Sequence, residues 1–82
     1  MNIVGILVQF RPEREAFVRQ QIITQGCEVH LATPAGKMVV TFEHKDDEVI
    51  AGTLVALQNI DGVVTATLVY HHTDYQPEET VL

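Results

Sequence analysis

The stretch Cys27–Glu43, CEVHLATPAGKMVVTFE, decides the fold. Cys27-Glu28-Val29-His30-Leu31 alternates apolar and polar residues at every step, the pattern of a half-buried strand. Thr33-Pro34-Ala35-Gly36-Lys37 follows, where a fixed proline φ and an unhindered glycine mark a turn. Met38 to Glu43, MVVTFE, is then the returning strand. A connection this short joins antiparallel strands only, because a parallel pair needs a crossover of about a dozen residues or more. An all-parallel sheet is therefore excluded.

Outward from this hairpin, two similar units appear. Upstream, Ile3 to Phe10, IVGILVQF, is too short for a buried helix and rich in β-branched residues, so it is a strand. Pro12 can open a helix, since its missing N–H would be unpaired there anyway, and Glu13 and Glu15 favour that end of the helix dipole. Val18 and Ile22 share a face, and Gly26 fits the position just past the helix end. Downstream, Asp46 or Asp47 caps a second helix whose Ile50, Leu54 and Leu57 form one apolar stripe. Asn59-Ile60-Asp61-Gly62 closes it, and Val63 to Tyr70 is a last strand.

The order β-α-β-β-α-β, with right-handed crossovers, is the ferredoxin-like split βαβ arrangement. The expected fold class is α+β: a four-stranded antiparallel sheet in the order 4-1-3-2, both helices on one face and the other face open. Residues 1–72 form a single domain, and 73–82, TDYQPEETVL, has no periodicity and reads as an acidic, flexible tail.

Composition narrows function. The chain has 82 residues, enough for one modest core. Five Lys and Arg against eleven Asp and Glu give a net charge of −6, which opposes binding to nucleic acid or to an anionic membrane and suits a basic partner. One cysteine, Cys27, leaves no internal disulfide and fits a reducing compartment. Met1-Asn2-Ile3 runs into a short apolar stretch with no basic leader, so the expectation is a cytoplasmic chain with no stable membrane insertion.

Strand alternation divides the side chains between two faces. Val4, Ile6, Val8, Phe10, Cys27, Val29, Leu31, Met38, Val40, Phe42, Val64, Ala66 and Leu68 are assigned to the helix side. The open face then carries Ile3, Gly5, Leu7 and Gln9 from the first strand. Val39, Thr41 and Glu43 come from the third, Glu28 and His30 from the second, and Val63, Thr65, Thr67 and Val69 from the fourth. This is more aliphatic than a solvated sheet face requires, and such a patch points to a partner. Gly5 would leave a shallow depression in a central strand. The other readings are a homodimer mate or the tail lying over the patch. The candidate binding residues are Ile3, Gly5, Leu7, Gln9, Val39, Thr41, Glu28, Glu43, Thr67 and Val69, with no catalytic residue, metal or cofactor assigned.

Several chemistries lack their residues. His30, His44, His71 and His72 show no metal-type spacing, and the adjacent pair His71-His72 points to opposite faces of a strand. Cys27 alternates inward without a base beside it, so it reads as a core residue. Arg11 and Arg14 read as solvated charges. RNA-recognition domains of this fold stack bases on open-face aromatics, whereas the matching positions here are Leu7, Val39 and Thr41. Fold alone does not decide function.

Four segments resemble a known family. Gly26-Cys27-Glu28-Val29-His30, the turn Pro34-Ala35-Gly36-Lys37, Asn59-Ile60-Asp61-Gly62-Val63 and Leu68-Val69-Tyr70-His71 together are similar to the NapD family, from about Ile3 to His72. Gln25 departs from the proline common before the glycine, and Glu15 and Gln21 make the first helix more polar than in the family. The resemblance implies a non-enzymatic cytoplasmic chaperone. It would bind the twin-arginine signal peptide of the catalytic-subunit precursor of the periplasmic nitrate reductase, and hold back export while cofactors are inserted. A twin-arginine signal carries a basic region and an apolar stretch, which match acids beside an aliphatic patch. The rivals are a small-molecule-sensing regulatory domain and a sheet-pairing dimer module.

Overall fold

A computed structural model describes the backbone of residues 2–73 and the side chains of residues 2–69. The expected tail falls outside them, except that Thr73 lies in the last strand. The elements are β1 (Asn2–Phe10), a 3-10 turn (Pro12–Arg14), α1 (Glu15–Thr24), β2 (Glu28–Ala32), β3 (Lys37–His44), α2 (Asp47–Gln58) and β4 (Val63–Thr73). The four strands are antiparallel in the order β2-β3-β1-β4, the ferredoxin-like order expected. Pro12 opens a 3-10 turn rather than α1 itself, and Glu15 begins the α-helix.

Local chemistry explains the ends. The Asp46 carboxylate accepts a hydrogen bond from Glu48 N–H at 2.9 Å, capping α2. Gly26, at φ +90, carries the chain out of α1, and its N–H donates to the Ile23 carbonyl at 2.9 Å. Two loops meet the end of β1. Phe10 N–H donates to the Gly36 carbonyl, and Arg11 N–H to the Gly62 carbonyl, each at 2.8 Å. Arg14 is not merely solvated: its guanidinium lies 2.7 Å from the Asp61 carboxylate and 4.6 Å from the Phe17 ring centre.

The core is one cluster between sheet and helices. Val4, Ile6, Val8 and Phe10 of β1 meet Met38, Val40 and Phe42 of β3, with Val18, Ile22, Cys27, Leu57 and Ala66 completing it. Burial pushes the Cys27 thiol up to about 11, so the sulfur stays neutral and unreactive.

Bulges overturn three expected side-chain assignments. In the β2–β3 ladder Val29 pairs with Val40 but Leu31 pairs with Val39, so His30 is an extra residue. An extra residue shifts every later side chain to the other face. Leu31, assigned to the core, is therefore 59% exposed beside Val39, and Ala32 packs inward instead. In the β1–β4 ladder Gln9 pairs with Thr65 and Phe10 with Val63, which makes Val64 the extra residue. Val64, also assigned to the core, is 63% exposed, while Val63, assigned to the open face, packs on the core. Leu68 does line the helix side but remains 44% exposed, because α2 does not reach over it. A third register shift, at Val69, ends the regular pairing of Ile6–Gln9 with β4.

Candidate functional site

The ladders set the open-face residues in rows across the sheet. Leu31 of β2 stands beside Val39 of β3, Val39 beside Leu7 of β1, and Leu7 beside Thr67 of β4. Three aliphatic side chains thus form a band that crosses three strands and ends on a threonine. Leu7 and Val39 are half-buried and Leu31 and Thr67 exposed, so the band presents apolar surface to solvent. Leu31 reaches it only through the His30 bulge. Alternation alone gives no sign of that, since Glu28-Val29-His30-Leu31 alternates without a break.

The next row, about 7 Å along the strands at roughly 3.4 Å per residue, holds Glu28, Thr41 and Gly5. Gly5 is buried among its neighbours. A further step brings Glu43 beside Ile3. Ile3, Gly26, Glu28, Thr41 and Glu43 surround a polar hollow of 370 Å³, so both acids predicted at the margin share one depression. His30 joins them. Its Nε2 lies 2.6 Å from the Thr41 hydroxyl and 3.9 Å from the Glu28 carboxylate.

At the opposite end, Gln9 pairs with Lys37. Both are exposed, which gives the face an acidic end, an aliphatic middle and one cation at its far end. Val69 is 57% exposed but sits at the β4 bulge, off the band. The arrangement can hold an extended apolar object with positive charge at one end. The one cysteine is buried on the other side of the sheet, and Glu28 and Glu43 lie in open solvent.

Known proteins resemble this chain along nearly its whole length. Residues 1–75 match the NapD protein family. The chain is 34% identical over 81 residues to Chaperone NapD of Escherichia coli K12, covering 96% of this chain and 93% of that protein. It is 29% identical over 77 residues to Chaperone NapD of Haemophilus influenzae, covering 92% and 83%. Among solved structures it is similar to the solution structure of the E. coli Tat proofreading chaperone protein NapD. The TM-score there is 0.77 at 33% identity, covering 94% of this chain and 83% of the other.

Proposed function

The chain belongs to the NapD family, and on that premise we propose that it is a cytoplasmic, non-catalytic chaperone. Its ligand is the twin-arginine signal peptide of the catalytic-subunit precursor of the periplasmic nitrate reductase, and binding holds back export during cofactor insertion. One observation carries the reading: an aliphatic band and a two-carboxylate hollow lie about 7 to 13 Å apart on one sheet face that the described residues leave uncovered. A signal peptide presents the complementary pair, arginines followed by an apolar stretch. The relatives named as chaperones support it. Among the described residues, no helix is long and apolar enough to cross a membrane.

The peptide docks as a helix. An edge strand added beside β4 would leave Leu31, Val39 and Leu7 uncovered, whereas a helix laid across the face covers them together. At 1.5 Å per residue, the span from hollow to band corresponds to roughly five to nine residues of helix. The arginines and the positive end of the helix dipole lie over Glu28 and Glu43, and the negative end points toward Lys37. Circular dichroism of chain and synthetic signal peptide together should show more helix than the sum of the two alone. A gain of strand signal would move the site to the β4 edge and overturn this orientation.

Charge provides the second test. Glu28 and Glu43 are exposed, so their pull on arginines is screened beyond about 8 Å at physiological ionic strength. Exposed pairs contribute about 0.2–1 kcal/mol each, so calorimetry from low to high salt should show affinity falling about fivefold. The double variant Glu28→Gln, Glu43→Gln should bind more weakly at low salt and lose most of that dependence. Full binding by the double variant would remove the hollow from the site.

A further inference from the structure

The bulge in β2 shapes both halves of the open face. In a regular ladder His30 would stand opposite Val39, two residues and about 7 Å along the strand from Glu28. As the extra residue it has no partner of its own on β3, and Leu31 takes the place beside Val39. The imidazole reaches back instead to the pair formed by Glu28 and Thr41. Its Nε2 lies 2.6 Å from the Thr41 hydroxyl and 3.9 Å from the Glu28 carboxylate, with the side chain 45% exposed. The ring thus stands at the rim of the hollow that Glu28, Thr41 and Glu43 line.

This contact has two protonation states, and they treat an arriving cation differently. A neutral ring shares one hydrogen with the Thr41 hydroxyl and leaves the Glu28 charge uncompensated. A protonated ring donates at both nitrogens, so Nε2–H keeps Thr41 Oγ1 as its acceptor while the positive charge stands beside Glu28. The ring then supplies the charge that a guanidinium would bring. Two cations at one carboxylate repel each other.

The charged groups around the ring leave this competition local. On β3, Glu43 shares the hollow, and Lys37 lies four residues or about 13 Å from Thr41 at the opposite end of the face. Lys45 follows the end of β3, two residues beyond Glu43. His44 is engaged at α2: its Nδ1 accepts the Asp46 N–H at 2.9 Å, and its ring stacks on Phe42. The other element packed against β2 is α1, behind the sheet, where Arg19 pairs with Glu15 at 3.1 Å. β4, which carries His71 and His72, is separated from β2 by both β3 and β1.

From the bulge, the ring's two contacts and its seat on the hollow we infer that His30 is a proton-operated competitor for the carboxylate that receives a peptide arginine. The hollow takes the arginine while the ring is neutral and releases it when the ring is protonated. This regulation rests on the twin-arginine ligand proposed above and adds to it a pH dependence of its grip. Linkage makes the effect reciprocal: a bound arginine disfavours ring protonation, so binding passes protons to the buffer and affinity falls with falling pH. Histidine is the side-chain type that answers between about pH 8 and about pH 5, a window above the ordinary carboxylate range and below that of lysine.

Calorimetry with a histidine-free synthetic twin-arginine peptide, at low salt and at about pH 7.5 and about pH 5.5, is the test. The parent should bind about fivefold more weakly at the lower pH, the upper range for one exposed charge pair. At about pH 6.5, titrations in two buffers of different ionisation enthalpy should show protons released on binding. His30→Gln keeps a polar side chain at the bulge and removes the titrating ring, while every other titrating group remains. Its two affinities should agree within about 1.5-fold, with no proton release, and His30→Ala should give the same flat profile. His44→Gln, at the start of α2, should keep the parent's dependence. Equal parent affinities at the two pH values, tighter binding at the lower one, or a His30→Gln profile as steep as the parent's would overturn the role of His30 and leave the ligand standing. No binding by the parent at the higher pH would remove the ligand itself, and the competition with it.

Discussion

Leu7→Glu is expected to weaken binding of a synthetic twin-arginine signal peptide at least about a hundredfold in calorimetry, with the fold retained. Leu7 is the aliphatic member of the band on the central strand β1, between Val39 and Thr67, so a docked apolar helix must rest on it. Truncating that contact forfeits about 1.5–3 kcal/mol of buried aliphatic surface. A carboxylate in its place adds the cost of desolvating a charge with no partner in the band. Leu7 is only half-buried in the free chain, so the folding cost stays near 1 kcal/mol. Val69→Glu, off the band at the β4 bulge, should cost about tenfold in affinity and no more. Arg19→Glu, on the helix side beside Glu15 at 3.1 Å, should leave affinity within about twofold. Unchanged binding by Leu7→Glu would remove the open face from the proposed function.

The arrangement of elements was legible because each boundary has a chemical cause visible in one dimension. Asp46 can accept the N–H groups of α2, Gly26 and Gly36 adopt the positive φ their turns need, and a short loop forces antiparallel strands. The acids of the hollow were legible too, since Glu28 and Glu43 sit on the open phase of strands whose early register is regular. What failed was alternation past a bulge. At His30 and Val64 the ladder admits one extra residue, and neither position differs in composition from a regular strand residue. A bulge is settled by how β3 and β1 present their hydrogen-bonding groups, a relation between strands that a single run of residues does not encode. The consequence was a core drawn too large by Leu31 and Val64, and an aliphatic band drawn too short by Leu31.

Gly36→Ala is expected to lower the melting temperature by at least about 12 °C, a loss of about 3 kcal/mol at 4–8 °C per kcal/mol for a domain of this size. Gly36 sits at φ +100, where a Cβ costs about 1–2 kcal/mol from backbone strain alone. The added carbon would also overlap the Phe10 carbonyl oxygen and stand 3.4 Å from the Pro12 ring. No side-chain rotation relieves a clash with backbone, so the hairpin loop must lift away from β1. Lifting it breaks the 2.8 Å hydrogen bond from Phe10 N–H to the Gly36 carbonyl and strips the loop from the end of the core. Gly52 provides the contrast within the same chain. It lies inside α2, where an added methyl would meet no atom within 4 Å, so Gly52→Ala carries helix propensity alone and should stabilise by about 1 kcal/mol. Thermal melts of the two variants should therefore move in opposite directions. A Gly36→Ala protein as stable as the parent would mean that the hairpin loop does not rest on β1, and the seat given to that loop would be wrong.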